Sequence, residues 1–214
     1  MPVPLAPKIY HLVHIDRLPS ILAAGHLWSD AVMTARAPQG TNIGMNKIKQ
    51  NRLQFGVKCW PPDKVGEYVP FYFCSRSVML YVIHRANHPE LTYRGGQGPI
   101  VHLEADLHTV VQAADNANVR WAISLSNAGS AYAQFRTGLT ALEDVGWDAV
   151  AARDFQPADI QERKQAEFLI KRSLPWPLIE RIGVGSPQVA QQVANMLHNA
   201  GHRPPVEIRY DWYY

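Results

Sequence analysis

Apolar and polar residues alternate along several short stretches of this chain and recur at helical spacing along others. The clearest alternation lies in 164–172, KQAEFLIKR. In a strand, Ala166, Phe168 and Ile170 share one face and Gln165 and Glu167 share the other. Similar runs predict strands at 9–14, 69–73, 99–105, 119–125 and 179–185, and a closing strand within 205–214. Helical spacing covers 15–25, with Asp16 as cap and Gly25 as stop, and a basic stretch that ends near Arg52. It returns at 75–87, at 106–116 behind Asp106, and at 186–201 behind Ser186 and Pro187. In 75–87, Met79 and Ile83 face inward, with Tyr81 or Val82 beside them. Residues 36–46 read as a loop, and 126–163 as a long irregular segment with short helical pieces. Strands and helices mix without a strict βαβ rhythm, so the fold class is α+β.

The 214 residues are 47% hydrophobic, enough for one packed domain over 1–214 and short for two. No stretch of ~18 apolar residues is available to span a membrane, and the start, MPVPLAPK, lacks the pattern of a secretory signal. Cys59 and Cys74 make neither a disulfide framework nor a zinc site, which points to a reducing cytoplasm and no metal. The net charge of +3 is unevenly spread. Residues 1–60 hold seven Lys and Arg against Asp16 and Asp30, a balance of +5. A basic first quarter fits an anionic partner, either a phosphate-bearing ligand or nucleic acid. No G-x-G-x-x-G or Walker motif appears, and GGQG at 95–98 precedes a strand as a turn would.

Four stretches, YHLVHIDRLPSIL, IGMNKIKQNR, YVPFYFCSRSVMLY and KQAEFLI, resemble the DarT family together with GGQGPIVHLEADL, RWAISLSNA, ERIGV and the closing WYY. The similarity runs from Ile9 to Tyr214 and is most specific at 69–81 and 164–170. It implies an ADP-ribosyltransferase fold, a split mixed β-sheet around a central NAD cleft. It also implies a toxin that transfers ADP-ribose from NAD to single-stranded DNA, usually to thymine, with guanine the target of a related branch. A macrodomain antitoxin of the DarG type is the implied partner. The same NAD site would also serve transfer to protein or RNA, and a non-catalytic nucleic-acid-binding module is the reading from another class.

Cleaving nicotinamide from ribose creates an oxocarbenium-like centre that a fixed carboxylate stabilises. Glu167, pinned by the apolar residues behind it, suits that task, and Gln165 on the same face suits the acceptor. The resemblance implies that His11, or its rival His14, holds a ribose hydroxyl, although Val13 stands where the related pattern has threonine. It implies a functional arginine at Arg52, gripping pyrophosphate bidentately or preparing the acceptor base, and so placed for the ligand rather than for the fold. Tyr72 and Met79 would line the nicotinamide slot. Ser75 and Val78 occupy positions where prolines are expected. In 126–163, Trp147, Arg153 and Gln156 are the residue types that stack bases, meet phosphates and read base edges, although Trp147 serves a core equally well. Lys47, Lys49 and Arg76 complete the expected DNA contacts.

Overall fold

The computed structural model describes residues 1–36 and 40–214, so residues 37–39 of the loop read at 36–46 lie outside the described residues. The strands are β1 (Lys8–His14), β2 (His26–Trp28), β3 (Tyr68–Tyr72), β4 (Ile100–Asp106), β5 (Trp121–Ser124) and β6 (Phe135–Arg136). They continue as β7 (Glu167–Lys171), β8 (Ser173–Pro175), β9 (Arg181–Val184) and β10 (Val206–Ile208). The helices are α1 (Leu18–Ala24), α2 (Asp30–Ala35), α3 (Asn46–Gln54), α4 (Val78–Arg85), α5 (Leu107–Asn116), α6 (Trp147–Ala151), α7 (Ala158–Arg163) and α8 (Pro187–Leu197). The main sheet runs β10-β9-β4-β1-β3-β7-β5-β6, with β2 and β8 in a separate pair. Only β9 and β10 are parallel; the other pairs are antiparallel, so the sheet is mixed.

The α+β expectation and most element positions hold. Ser77, Asp106 and Ser186 each accept a backbone N–H bond at the start of α4, α5 and α8. Gly25 stops α1 at φ 66°, a left-handed position that costs glycine nothing. Asp16 does not cap that helix. Its carboxylate takes the Thr41 N–H and hydroxyl instead, at 3.0 and 2.6 Å, and His14 caps the short 3-10 turn Ile15–Arg17. In α4, Leu80 and Ile83 point into the core, while Met79 and Val82 face a cleft.

The sheet splits at its centre. β1 and β4 match along seven residue pairs, whereas β1 and β3 match only at Tyr10 and Tyr72. Beyond that pair, toward His14 on one strand and Tyr68 on the other, the two strands part. Directly opposed residues of antiparallel strands share a face. One row therefore crosses the sheet as Ser124, Glu167, Tyr72, Tyr10, Glu104 and Arg181. Every member is polar, and Ser124, Glu167 and Glu104 are buried. The neighbouring row of Ile123, Phe168 and Phe71 belongs to the main apolar core, which also takes in residues of α5, α6 and α8. The apolar row fixes the register, and the register places the carboxylate.

Candidate active site

The fork between β1 and β3 opens into a cleft of about 800 Å³. His11, Arg52, Tyr72, Met79, Gln165 and Glu167 all line it, brought together from five separate parts of the chain. At the fork, where a backbone ladder would have continued, the His11 ring closes the gap: Nδ1 lies 2.7 Å from the Pro70 carbonyl. A carbonyl only accepts, so Nδ1 carries the proton and Nε2 is left as a bare acceptor. Burial pushes the His11 imidazole down to about 4, which keeps the ring neutral at physiological pH.

Glu167 opens β7 and is 2% exposed. Arg52, in the last turn of α3, donates from Nη1 to both of its oxygens, at 3.2 Å to Oε1 and 2.8 Å to Oε2. The Ala128 N–H adds a third bond to Oε1 at 2.9 Å. A carboxylate offers about four lone-pair sites, and three are taken here. The open one is on Oε2. Burial acts against the Arg52 charge, but the Glu167 carboxylate together with that of Asp30 outweighs it and the guanidinium is held above its usual range. Arg52 Nη2 is buried and has no hydrogen-bond partner among the described residues. With Nη1 committed to Glu167, Nη2 is a buried donor left for a ligand.

The other expected cofactor contacts sort by geometry. Tyr72 Oη donates to Met79 Sδ at 3.4 Å, so the two residues form one wall. Burial and the nearby Glu167 charge both push the Tyr72 phenol upward, so it stays protonated. His14 lines the cleft as well, but its Nδ1 accepts the Asp16 N–H at 3.3 Å and lies 2.9 Å from Asp16 Oδ1. That capping duty separates it from His11, whose Nε2 is open.

A family model described as "ssDNA thymidine ADP-ribosyltransferase, DarT" matches residues 10–214. A DNA ADP-ribosyl transferase of Thermus aquaticus is 36% identical over 213 residues, covering 99% of this chain and 90% of that protein. The chain belongs to the DarT family. Thermus sp. 2.9 DarT in complex with ADP-ribosylated ssDNA superposes with a TM-score of 0.89 at 36% identity, covering 100% of this chain and 99% of that one. The same relative in complex with NAD+ superposes with a TM-score of 0.84 at 35% identity, covering 100% of both chains. The expected split-sheet ADP-ribosyltransferase fold is therefore the DarT fold.

Within this DarT framework the expected acceptor residues fall into separate places. Gln165 sits in the cleft just before β7, its Oε1 accepting from Asn127 Nδ2 and its Nε2 donating to the Gln161 carbonyl, each at 3.1 Å. Lys49 also lines the cleft, paired with Asp30 at 3.0 Å. Lys47 lies outside it, in an exposed pair with Glu90. Gln156 is exposed beyond it, beside Asp154. Arg76 and Arg153 meet at a second cavity. Trp147 is a correction. It is 5% exposed, packs edge-on against Phe73 and donates Nε1 to the Leu142 carbonyl at 2.8 Å, so its ring belongs to the core.

Sequence reasoning missed Asn127 and Ala128, which tie the loop after β5 to Gln165 and Glu167. The only signal was SLSNA itself, whose contribution is a backbone N–H that no side-chain pattern announces.

Proposed function

We propose that this chain transfers ADP-ribose from NAD to the thymine base of single-stranded DNA. The observation that carries the reading is the full-length superposition on a relative captured with ADP-ribosylated single-stranded DNA. The cleft supports it with a neutral acceptor ring at His11, a carboxylate with one open lone pair at Glu167, and one unused donor at Arg52.

In this reading His11 Nε2 accepts a ribose hydroxyl, and Tyr72 and Met79 flank the nicotinamide. The bond from nicotinamide nitrogen to ribose C1′ breaks, and its electron pair leaves with the nicotinamide. The Glu167 charge opposes the cation that develops at C1′, in a site from which water is largely excluded. Thymine N3 then bonds to C1′ and its proton passes to Glu167 Oε2. Arg52 Nη2 donates to a thymine carbonyl and stabilises the ring as the proton departs. Gln165, held by Asn127, sets the base against the ribose. Residues 1–214 act as one catalytic unit, with 126–163 presenting the acceptor.

Duplex pairing occupies thymine N3–H, and freeing it costs a few kcal/mol. The test incubates the protein with NAD and oligonucleotides that differ at one central base, each as single strand and as duplex, and locates the adduct by mass spectrometry. Modified thymine in the single strands alone is the expected result. Equal transfer to duplex, or transfer only to protein or RNA, overturns it; transfer to guanine keeps the chemistry and changes the base. Membership of the DarT family also supports a toxin role in the cytoplasm, balanced by a macrodomain antitoxin that removes the ADP-ribose. No helix among the described residues is long and apolar enough to cross a membrane.

A further inference from the structure

Gln165 enters the cleft with its side-chain amide already oriented. Its Oε1 accepts from Asn127 Nδ2 and its Nε2 donates to the Gln161 carbonyl, each at 3.1 Å. Asn127 is oriented in the same way. Its Oδ1 accepts the Gly129 N–H at 2.8 Å, in an Asx turn on the loop after β5. The hydrogen bonds therefore run in one direction: Gly129 N–H to Asn127, Asn127 to Gln165, and Gln165 to the Gln161 carbonyl. Both ends are backbone groups. An N–H only donates and a carbonyl only accepts, so neither amide can turn over without setting like groups face to face. An amide nitrogen carries two hydrogens, and one of those on Gln165 Nε2 has no partner among the described residues.

The same turn is tied to the reacting groups. Ala128 bonds Glu167, and Gly129 lies against Ile48 and Arg52 of α3. The cleft thus offers a donor at Arg52 Nη2, an open acceptor at Glu167 Oε2 and a donor at Gln165 Nε2. The pairing edge of thymine is their complement, because its N3–H stands between two carbonyls, O2 and O4. Guanine has a carbonyl on one side of its ring N–H and an amino group on the other, so it differs from thymine at one place of the three.

We propose that Asn127 is a positioning residue that selects thymine over guanine, by holding the Gln165 amide with its free N–H toward the base. The inference rests on the DNA reading above. Arg52 then takes one thymine carbonyl and Gln165 the other, while the N3 proton faces Glu167. A guanine amino group would meet the Gln165 N–H donor to donor. Asn127 itself does not touch the base; it acts through Gln165.

The test measures kcat/KM for single strands of one sequence with a central thymine or a central guanine, using the unaltered protein, Asn127→Asp, Asn127→Ala and Gln165→Glu. The thymine strand is also made with sulfur in place of O2 or of O4, because sulfur is the weaker acceptor. An aspartate at 127 keeps the Gly129 bond and turns the Gln165 amide over, and a glutamate at 165 offers only acceptors. Both should lower the ratio of thymine to guanine transfer by at least about tenfold. In the unaltered protein, sulfur at either carbonyl should slow transfer by about tenfold, the size of one hydrogen bond. Asn127→Ala should erase that effect at one carbonyl and keep it at the other, where Arg52 donates. Each ratio is taken within one variant, so a general loss of rate does not imitate it. An unchanged base ratio in Asn127→Asp overturns the role of Asn127, even where Gln165→Glu shifts it. Sensitivity lost at both carbonyls in Asn127→Ala, or at neither, overturns it as well, and so does a preference of the unaltered protein for guanine. Transfer by the unaltered protein to neither strand overturns the DNA reading itself.

Discussion

Arg52 and Glu167, 115 positions apart, form a buried ion pair in which one guanidinium nitrogen serves both carboxylate oxygens. Each is the other's counter-charge, so the pair belongs to the fold as well as to the cleft. Removing one partner strands the other in a low-dielectric site, at a cost of about 3–5 kcal/mol. Arg52→Ala is therefore expected to lower the melting temperature by roughly 10 °C as well as abolish transfer. The pair gives this arginine a place in the fold beside its expected role toward the ligand. Neutralising both, as Arg52→Met with Glu167→Gln, should recover most of the stability and none of the activity. Thermal melts of the singles and the double, read beside transfer assays, make a cycle; a double as unstable as the worse single would remove the pairing argument.

Glu167→Gln keeps an acceptor for the Ala128 N–H and loses the charge that opposes the ribosyl cation. Transfer should fall by about 10²–10³-fold, the size seen when a single preorganised electrostatic group is lost. NAD affinity should change far less, because the charge matters most when the cation develops. Single-turnover rates at saturating NAD read the chemical step directly. Turnover within a few-fold of the unaltered protein would take Glu167 out of the reaction.

His11 and His102 are both held neutral by burial, each pushed down to about 4 from an ordinary value of 6.5. His102 is locked by an Nε2–H bond to the Ser75 carbonyl at 3.0 Å. Between pH 6.5 and 4 the unfolded chain binds protons that the folded chain refuses, so stability is complete above that window and falls as the pH drops through it. The slope should approach about two protons. His102→Gln should remove about one of them while leaving the cleft's own pH profile in place. Urea midpoints at a series of pH values measure the slope, and a flat profile between pH 6.5 and 4.5 would contradict the buried neutral rings.

Gly183, in β9, has Trp212 against it: an added Cβ would overlap the Trp212 ring. That ring also packs edge-on against Tyr10 and His102. Gly183→Ala should therefore cost about 1–3 kcal/mol through overpacking, visible as a lower melting temperature. A replacement that leaves the melting temperature unchanged would mean that Trp212 moves aside freely.

The alternation of Ala166, Phe168 and Ile170 was readable because a strand buried on one face must repeat every second residue, and it correctly put Glu167 on the other face. It did not show that this other face is also buried, because burial there comes from α3 and from the loop at Ala128, both distant in sequence. The fork at Tyr10 and Tyr72 was equally hidden, since a local pattern says what a strand is made of and not where its partner diverges. Trp147 was left open between base and core for a related reason. An aromatic in a polar, irregular segment looks available until Phe73 and the Leu142 carbonyl are seen to claim its ring and its N–H.

The core place of Trp147 leads to the last prediction, because the loop segments still need an aromatic if bases are to stack. Tyr132 is the exposed one. It lies four residues beyond Ala128, whose N–H holds Glu167, and five beyond Asn127, which holds Gln165. Gly129 between them packs against Ile48 and Arg52, so the base of the loop is fixed to the reacting groups while its aromatic stands in solvent. An exposed ring contributes little to folding, and base–aromatic stacking contributes about 1–3 kcal/mol per base. Tyr132→Ala should thus raise the KM for single-stranded DNA by roughly 5–150-fold with the melting temperature and NAD binding unchanged. Trp147→Phe should do the reverse, lowering the melting temperature through the lost Leu142 bond and the smaller ring while leaving the KM for DNA in place. Measured side by side, the two variants assign each aromatic to base or to core. A Tyr132 variant with an unaltered KM for DNA, or a Trp147 variant that loses DNA affinity at full stability, would reverse the assignment.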